Sequence, residues 1–318
     1  GWSWLGLTAA VSPIVSTAHD AGAPTLARQA SLRVSSLKPH CEGEMVSMGG
    51  SLIVASPRRP RWHELPIVDV ERLTEESVVI ALGVPPHLRE DFAFEPGQYL
   101  TLRTQIDGQD VRRSYSICMS RRAYDESGRL RVASARVPTG LMSNWLNDSA
   151  LAGQVVSVMP PMGDFTVPTQ PYSSRHHVGV AAGSGITPVL SLITTALEEE
   201  PRSRVTLIFG NKGAASTMFR EELRALQAEY GDRFSLFSVL SQEPQEDELF
   251  AGRIDLARMR RFIERLVPVG EVDEWYLCGP HPMVTAVEEA LAEAGADVDH
   301  VHHEIFHVET GNAVPSNE

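Results

Sequence analysis

The chain has 318 residues, 42% of them hydrophobic, a globular composition with length for about two domains. Its 28 Lys and Arg face 41 Asp and Glu for a net charge of −13; six basic and three acidic residues fall in 1–61, and 22 and 38 in the rest. The acidic bulk excludes a general nucleic-acid binder, because neutralising phosphates requires a basic face.

Residues 1–61 are rich in Ala, Ser, Gly and Pro, hold no period of 2 or 3.6, and are expected to form a disordered extension. They end in Arg58-Arg59-Pro60-Arg61, read as a solvated linker in preference to a docking patch. The apolar-rich stretch Trp2–Val15 is broken by Ser3, Gly6, Thr8, Ser12 and Pro13 and falls short of the ~20 residues of a membrane helix. It has no basic start of the secretory kind, so the expectation is a cytoplasmic protein with no membrane partner. Because the first residue is Gly, Met45 and Met48 stand as alternative native starts.

From 62 to 172, short β-prone runs predict an antiparallel β-barrel: Leu65–Val70, Ser77–Val84, Gln98–Thr104, Arg113–Cys118, Leu130–Val137 and Val155–Met159. A single helix, Leu141–Asn147, is expected among them. The polar stretch Tyr172–Arg175 marks a boundary, and from 173 to 307 strands alternate with helices. The strands are His177–Ala181, Arg204–Phe209, Phe234–Leu240, Glu274–Cys278 and Val301–Phe306, with helices starting near Thr187, Ser216, Asp255 and Pro280. This rhythm predicts an α/β doubly wound parallel sheet. Residues 308–318 read as a linker-like tail. Cys41, Cys118 and Cys278 contain no C-x-x-C, which excludes a disulfide scaffold, a four-Cys zinc site and a self-contained iron–sulfur cluster.

The most informative stretch is Val178–Pro188, an apolar strand running into Gly183-Ser184-Gly185 and then a helix near Thr187. The glycines let the backbone approach a pyrophosphate, and the amides and dipole of a helix start attract anions. A plain tight turn competes with this reading. Pro188 stands where the common dinucleotide fingerprint has Gly, and Gly210-Asn211-Lys212 replaces the acidic ribose ligand after the second strand. Lys212, helped by Ser216 and Arg220, could meet a 2′-phosphate and favour NADPH over NADH; the alternative is a solvated Lys. Arg113-Ser114-Tyr115-Ser116 puts a cation and an aromatic ring on one side of a strand, which suits a flavin or an ordinary barrel strand. Val137-Pro138-Thr139-Gly140-Leu141-Met142-Ser143 opens another helix that can receive a phosphate, and is weak evidence alone. Leu277-Cys278-Gly279-Pro280 ends a parallel strand, so Cys278 either faces a ligand cleft or serves as a buried spacer. Among His300, His302, His303 and His307, solvated histidines are preferred to a metal site, and His176-His177 reads as boundary sequence.

In their fixed order, Arg-x-Tyr-Ser, Gly-x-x-Ser, Gly-x-Gly-x-x-Pro and Cys-Gly-Pro resemble the ferredoxin–NADP reductase superfamily over about residues 62–307. Within it, Pro96-Gly97-Gln98-Tyr99, Asp110–Cys118 and Met159–Phe165 look most like the reductase subunit of phenylacetyl-CoA epoxidase. The resemblance implies an FAD-binding barrel over 62–172 and an NADP-binding domain over 173–307. It implies that Arg113 binds the flavin phosphate, that Tyr115 packs on the flavin, and that Ser116 hydrogen-bonds near its N5, with Ser114 between them. Val137, Gly140, Leu141, Met142 and Ser143 would hold the flavin pyrophosphate. Gly183, Ser184, Gly185 and Thr187 would hold the nicotinamide nucleotide, Asn211, Lys212 and Ser216 its far end, and Cys278, Gly279 and Pro280 the nicotinamide. Glu304 and Phe306 would approach the flavin on the closing strand, making Ser116, Cys278 and Glu304 the expected catalytic set.

Two departures matter: Ala135 stands where relatives often carry a basic residue, and the sequence stops at Glu318 without the C-terminal plant-type ferredoxin domain of the most similar family members. The expectation is therefore a truncated chain, or else a separate [2Fe-2S] ferredoxin, that carries single electrons from FAD to a downstream oxygenase. The competing functions are a free-standing NAD(P)H:flavin reductase or diaphorase, and a non-catalytic electron-transfer subunit, which the presence of Gly183, Gly185, Thr187 and Cys278 argues against.

Overall fold

A computed structural model of the chain describes residues 61–306. The expected N-terminal extension, apart from Arg61, and the tail with His307 lie outside the described residues. The first sheet holds β1 (His63–Thr74), β2 (Ser77–Gly83), β3 (Tyr99–Ile106), β4 (Gln109–Ser116), β5 (Arg129–Ala135) and β6 (Val155–Val158). Its order is β4-β3-β6-β1-β2-β5, every pairing is antiparallel, and an Ile117–Val132 bridge draws its two edges together as in a barrel. Alternation sets the core: Leu100 and Leu102 point inward with Leu65, Ile67, Ile80 and Leu82, while Thr101 and Arg103 point out.

Strand β4 starts at Gln109, four residues earlier than the sequence suggested. The reason is the Asp107-Gly108 turn, whose two residues have φ 50° and 76° and which pairs Gln109 with Ile106. Positive φ at both central residues matches the twist of a two-residue hairpin. A second correction is that Leu141–Asn147 is not the only helix here. Besides α2 (Leu141–Asp148) there is α1 (Arg121–Ser127), capped by the Ser120 hydroxyl accepting from the Ala123 amide at 3.2 Å and ended by Gly128 at φ 63°. Its polar sequence carries no apolar period, so only the caps signal it.

The second sheet is wholly parallel, with β7 (His176–Ala182), β8 (Arg204–Asn211), β9 (Phe234–Leu240), β10 (Glu274–Gly279) and β11 (Val301–Ile305) in the order β11-β10-β7-β8-β9. That is the doubly wound order, and the winding reverses between β7 and β10. Helices α3 (Ile186–Glu199) and α4 (Arg220–Tyr230) cover one face; α5 (Leu256–Arg265) and α6 (His281–Glu293) cover the other. Helix α4 starts at Arg220 and not near Ser216, because Ala214–Ser216 forms a 3-10 turn and buried Phe219 turns the chain at φ 57°.

The α3/α4 face shares its core with the barrel: Val79, Cys118, Ala133, Phe165 and Val167 pack in one cluster with Ile186, Val189 and Leu190. The Ser191 hydroxyl adds a bond to the Met119 carbonyl at 2.7 Å, and Arg121 of α1 reaches Glu199 of α3. A continuous apolar contact of this kind holds two domains in one arrangement.

At the opposite end of the parallel sheet, Arg175 and His177 belong to a buried polar network. Arg175, only 8% exposed, donates to the fully buried Glu200 and to Glu274 at 3.3 Å. His177 bridges Glu200 and the Tyr276 hydroxyl, each at 2.9 Å, and His176 meets the Thr206 hydroxyl at 2.9 Å. Burial alone would raise the Glu200 pKa, but hydrogen bonds from His177, Arg175 and Ser203 outweigh it and hold the carboxyl well below its usual range. Stability from such a depressed group is present above the unfolded pKa and is lost as pH falls.

Removing Glu200 leaves a buried cation without its acceptor. Glu200→Ala is therefore expected to cost about 3–5 kcal/mol in denaturant melts, whereas Arg204→Ala, which breaks the exposed pair with Glu271, should cost about 1 kcal/mol or less.

Candidate active site

Ligands of doubly wound sheets bind beyond the carboxyl ends of the strands where the winding reverses, here the ends of β7 and β10. The two ends touch. A Cβ on Gly185 would lie 2.2 Å from the Cys278 carbonyl oxygen, so only glycine allows the loop after β7 to press on β10. Gly183 is different: at φ 55° it has nothing within 4 Å of a Cβ position and opens onto free space. The Thr187 hydroxyl donates to the Ser184 carbonyl at 2.9 Å and closes the turn. Gly185 gives α3 no side-chain cap, and the 3-10 turn Gly183–Gly185 runs straight into the helix, the Ile186 amide donating to the Gly183 carbonyl and Pro188 having no N–H.

Helix α2 repeats this arrangement in the barrel. Its N-cap Gly140 makes no side-chain cap, and a Cβ there would meet the Ser143 oxygen at 2.5 Å. Ser143 accepts from the Val137 amide at 3.2 Å and donates to the Gly140 carbonyl at 3.3 Å, locking the turn before the helix. Leu141 points outward at 40% exposure, whereas Met142 is buried in the barrel core. Beside Ala135, Arg136 is held by Asp148 at 2.7 Å and Glu76 at 3.4 Å.

Strand β4 sends its motif to two sides. Tyr115 and Arg113 alternate with Ser114, whose hydroxyl meets that of Thr101 at 3.1 Å on the opposite face, and Tyr115 packs on the barrel core. Ser116 is buried and lies close enough to the Glu304 carboxyl on β11 for its hydroxyl to draw the carboxyl pKa downward. Glu304 in turn lies beside Cys278 in the β10–β11 register. Thus Ser116, Cys278 and Glu304, far apart in sequence and drawn from both sheets, come together. Burial pushes the Glu304 carboxyl up to about 7 against the pull of the Ser116 hydroxyl, and its Oε2 is buried without a hydrogen-bond partner. The Cys278 thiol, fully buried, is pushed well above its usual range by burial and by Glu304, which keeps it neutral. Phe306 follows, its amide donating to the Gly279 carbonyl at 3.2 Å and its ring packing on the shared core.

The remaining expected residues lie one strand further out. Asn211, only 9% exposed at the end of β8, has an Nδ2 without a partner; Lys212 is exposed; Ser216 closes its turn on the Gly213 amide at 3.1 Å. Pro280 precedes α6 at its N-cap. Histidines 300 and 302 turn to Glu274, at 3.4 and 2.9 Å, His302 on the same strand face as Glu304 but two residues nearer the start of β11, and His303 turns to Glu288 at 2.7 Å on the other face. Sequence reading missed Glu243, whose Oε1 accepts from the Ala214 amide at 2.8 Å. Its only signal was a position just past the third parallel strand.

Known proteins resemble this chain in sequence and fold. A family model described as an oxidoreductase FAD-binding domain matches residues 64–167, and one described as an oxidoreductase NAD-binding domain matches 180–289. Over 245 residues the chain is 37% identical to one of the subunits of 1,2-phenylacetyl-CoA epoxidase from Escherichia coli K12, spanning 77% of this chain and 68% of that one. It is 34% identical over 264 residues to the ferredoxin reductase component of 3-ketosteroid-9-alpha-monooxygenase from Rhodococcus rhodochrous, covering 81% and 69% of the two chains. Among solved structures, the Amycolatopsis cytochrome P450 reductase GcoB aligns with a TM-score of 0.65 at 28% identity, over 80% of this chain and 73% of that one. With a FAD-binding model on the antiparallel sheet, an NAD-binding model on the parallel sheet and relatives of this identity, the chain belongs to the ferredoxin–NADP reductase family of flavoprotein oxidoreductases.

Proposed function

We propose that this chain takes hydride from NADPH into FAD and passes single electrons to a [2Fe-2S] ferredoxin domain or protein that serves an oxygenase of the phenylacetyl-CoA type. The observation that carries the reading is the meeting of Ser116, Glu304 and Cys278 where the winding of the parallel sheet reverses. Bound flavin supplies the two-electron uptake and one-electron release that no side chain offers. The residues fit such a group: Glu304 Oε2 is buried and unpartnered, Gly183 opens onto space, and α2 and α3 begin without side-chain caps. The ferredoxin and oxygenase partners are supported by the two relatives, one belonging to a phenylacetyl-CoA epoxidase and the other the ferredoxin reductase component of a monooxygenase.

On this reading the barrel, 62–172, holds FAD. Arg113 binds a flavin phosphate, Tyr115 packs against the ring system, the Ser116 hydroxyl serves its reactive edge, and the amides at Gly140–Ser143 hold the pyrophosphate beside Val137. The α/β part, 173–307, holds the nicotinamide nucleotide on Gly183, Ser184, Gly185 and Thr187. Cys278, Gly279 and Pro280 border the nicotinamide, Phe306 adjoins the flavin, and Asn211, Lys212 and Ser216 take the 2′-phosphate end. The contribution of these side chains is positioning, since the neutral Cys278 thiol and the half-titrated Glu304 leave no strong base at the site.

FAD-reconstituted protein should be yellow and bleach anaerobically with NADPH. Arg113→Ala should weaken FAD binding by about ten- to a hundredfold, the worth of one charge-assisted phosphate bond. Cys278→Ala should keep its flavin but bleach more slowly in stopped flow, and equal flavin loss in both variants contradicts the assigned roles. A pH test follows from Glu304, whose raised pKa contributes stability below the ordinary 4.5 and loses it as pH rises through about 7. In flavin-free protein, Glu304→Gln should therefore melt higher than the parent at pH 8, by the equivalent of ~2 kcal/mol, with the gap closing in acid. A gap independent of pH would show that Glu304 is not titrating as described.

A further inference from the structure

The loop after β8 is built around one carboxylate. Glu243, just beyond β9, accepts from the Ala214 amide at 2.8 Å, and a Cβ on Gly213 would lie 2.2 Å from its Oε1. The two loops are laced together by the Ser241 amide on the Asn211 carbonyl, at 2.9 Å, and the Gln242 amide on the Lys212 carbonyl, at 2.8 Å. Glu243 therefore sits against the Gly213-Ala214 turn, between Lys212 and Ser216 of the expected 2′-phosphate end. Ser216 is spent on Gly213, and Arg220 donates to the Ala214 carbonyl at 3.4 Å while pairing with Glu221 at 3.1 Å. From the same turn a groove of about 230 Å³, lined by Ala214, Thr217, Arg220 and Leu240, runs between α4 and β9, and the buried Asn211 Nδ2 at the end of β8 has no partner.

A carboxylate in this place has two effects on an incoming phosphate. It occupies a backbone amide that an anion would otherwise take, and its negative charge opposes the attraction of Lys212 and Arg220. A ribose carrying a free 2′-hydroxyl meets the opposite situation, because a carboxylate accepts from a hydroxyl. We propose that Glu243 is a specificity-determining residue that holds down the preference of this chain for a 2′-phosphorylated coenzyme and keeps NADH usable. The inference rests on the proposed placement of the adenosine end at this turn.

The test is Glu243→Gln in the full, FAD-loaded chain, which removes the charge and retains a carbonyl to accept from Ala214. By calorimetry, 2′-phospho-AMP should bind about five- to tenfold tighter relative to AMP than in the parent, and the ratio of kcat/KM for NADPH over NADH should rise by a similar factor, carried by KM. A ratio within twofold of the parent in both measurements overturns the inference. So does an equal loss for both nucleotides, which marks Glu243 as a structural clamp only. Should Glu243→Gln fold poorly, Glu243→Ser, which is shorter and uncharged, must move the two ratios in the same direction, and an unchanged ratio there also overturns it. If the parent oxidises neither coenzyme yet the nucleotide-binding ratio shifts as expected, the hydride-transfer reading fails while the role of Glu243 stands.

Discussion

The approach of the Ser116 hydroxyl to the Glu304 carboxyl brings two different sheets together, and it exists because the barrel and the parallel sheet share one apolar core. Val79, Ala133 and Phe165 from one side and Val189, Leu190 and Leu192 from the other exclude water between them, so strands β4 and β11 are held in register without a direct backbone ladder. Core packing of this density tolerates little slack. Ser116, Glu304 and Cys278 are thus brought together by apolar contacts some distance from their own polar atoms.

The two ends of the parallel sheet divide the work between stability and binding. At the amino ends of β7 and β10, Arg175, His177, Glu200 and Tyr276 satisfy one another, and Glu200 alone accepts from four different residues. At the carboxyl ends, Glu304 Oε2 and Asn211 Nδ2 are buried and unsatisfied. Buried polar groups left unpaired cost stability, so each of these atoms lacks a partner that a ligand at the strand ends would supply. The same contrast explains why Glu200 is held acidic while Glu304 is pushed toward neutrality: the first has donors enough to outweigh its desolvation, the second has Ser116.

Much of this was legible in the residues. Period-two alternation and the strand–helix rhythm pointed to both sheets and to each of their eleven strands, apart from shifted ends, and the fixed order of four short motifs pointed to the family. Glycine was informative at Gly183 and Gly185 because each answers to a backbone requirement, one a positive φ and the other a close approach to Cys278. What escaped was decided by contacts with no local period. Helix α1 is announced only by Ser120 and Gly128; Arg175 looked like a surface linker because its acceptors lie 25 and 99 residues away; Glu243 acts through a loop from the neighbouring strand. The late start of α4 has the same origin, since the turn at Ala214–Ser216 is stabilised from outside its own segment.

We propose that one crevice holds both flavin and nucleotide, bordered by Ser116 on the barrel side and by Gly185, Cys278 and Glu304 on the parallel-sheet side. Titrating the FAD-loaded protein with oxidised NADP+, which cannot react, tests it most directly. Binding should perturb the visible absorption bands of the flavin in proportion to occupancy, as expected of two rings sharing one cavity. Calorimetric binding of NADP+ with an unchanged flavin spectrum would place the two ligands in separate sites and contradict the account.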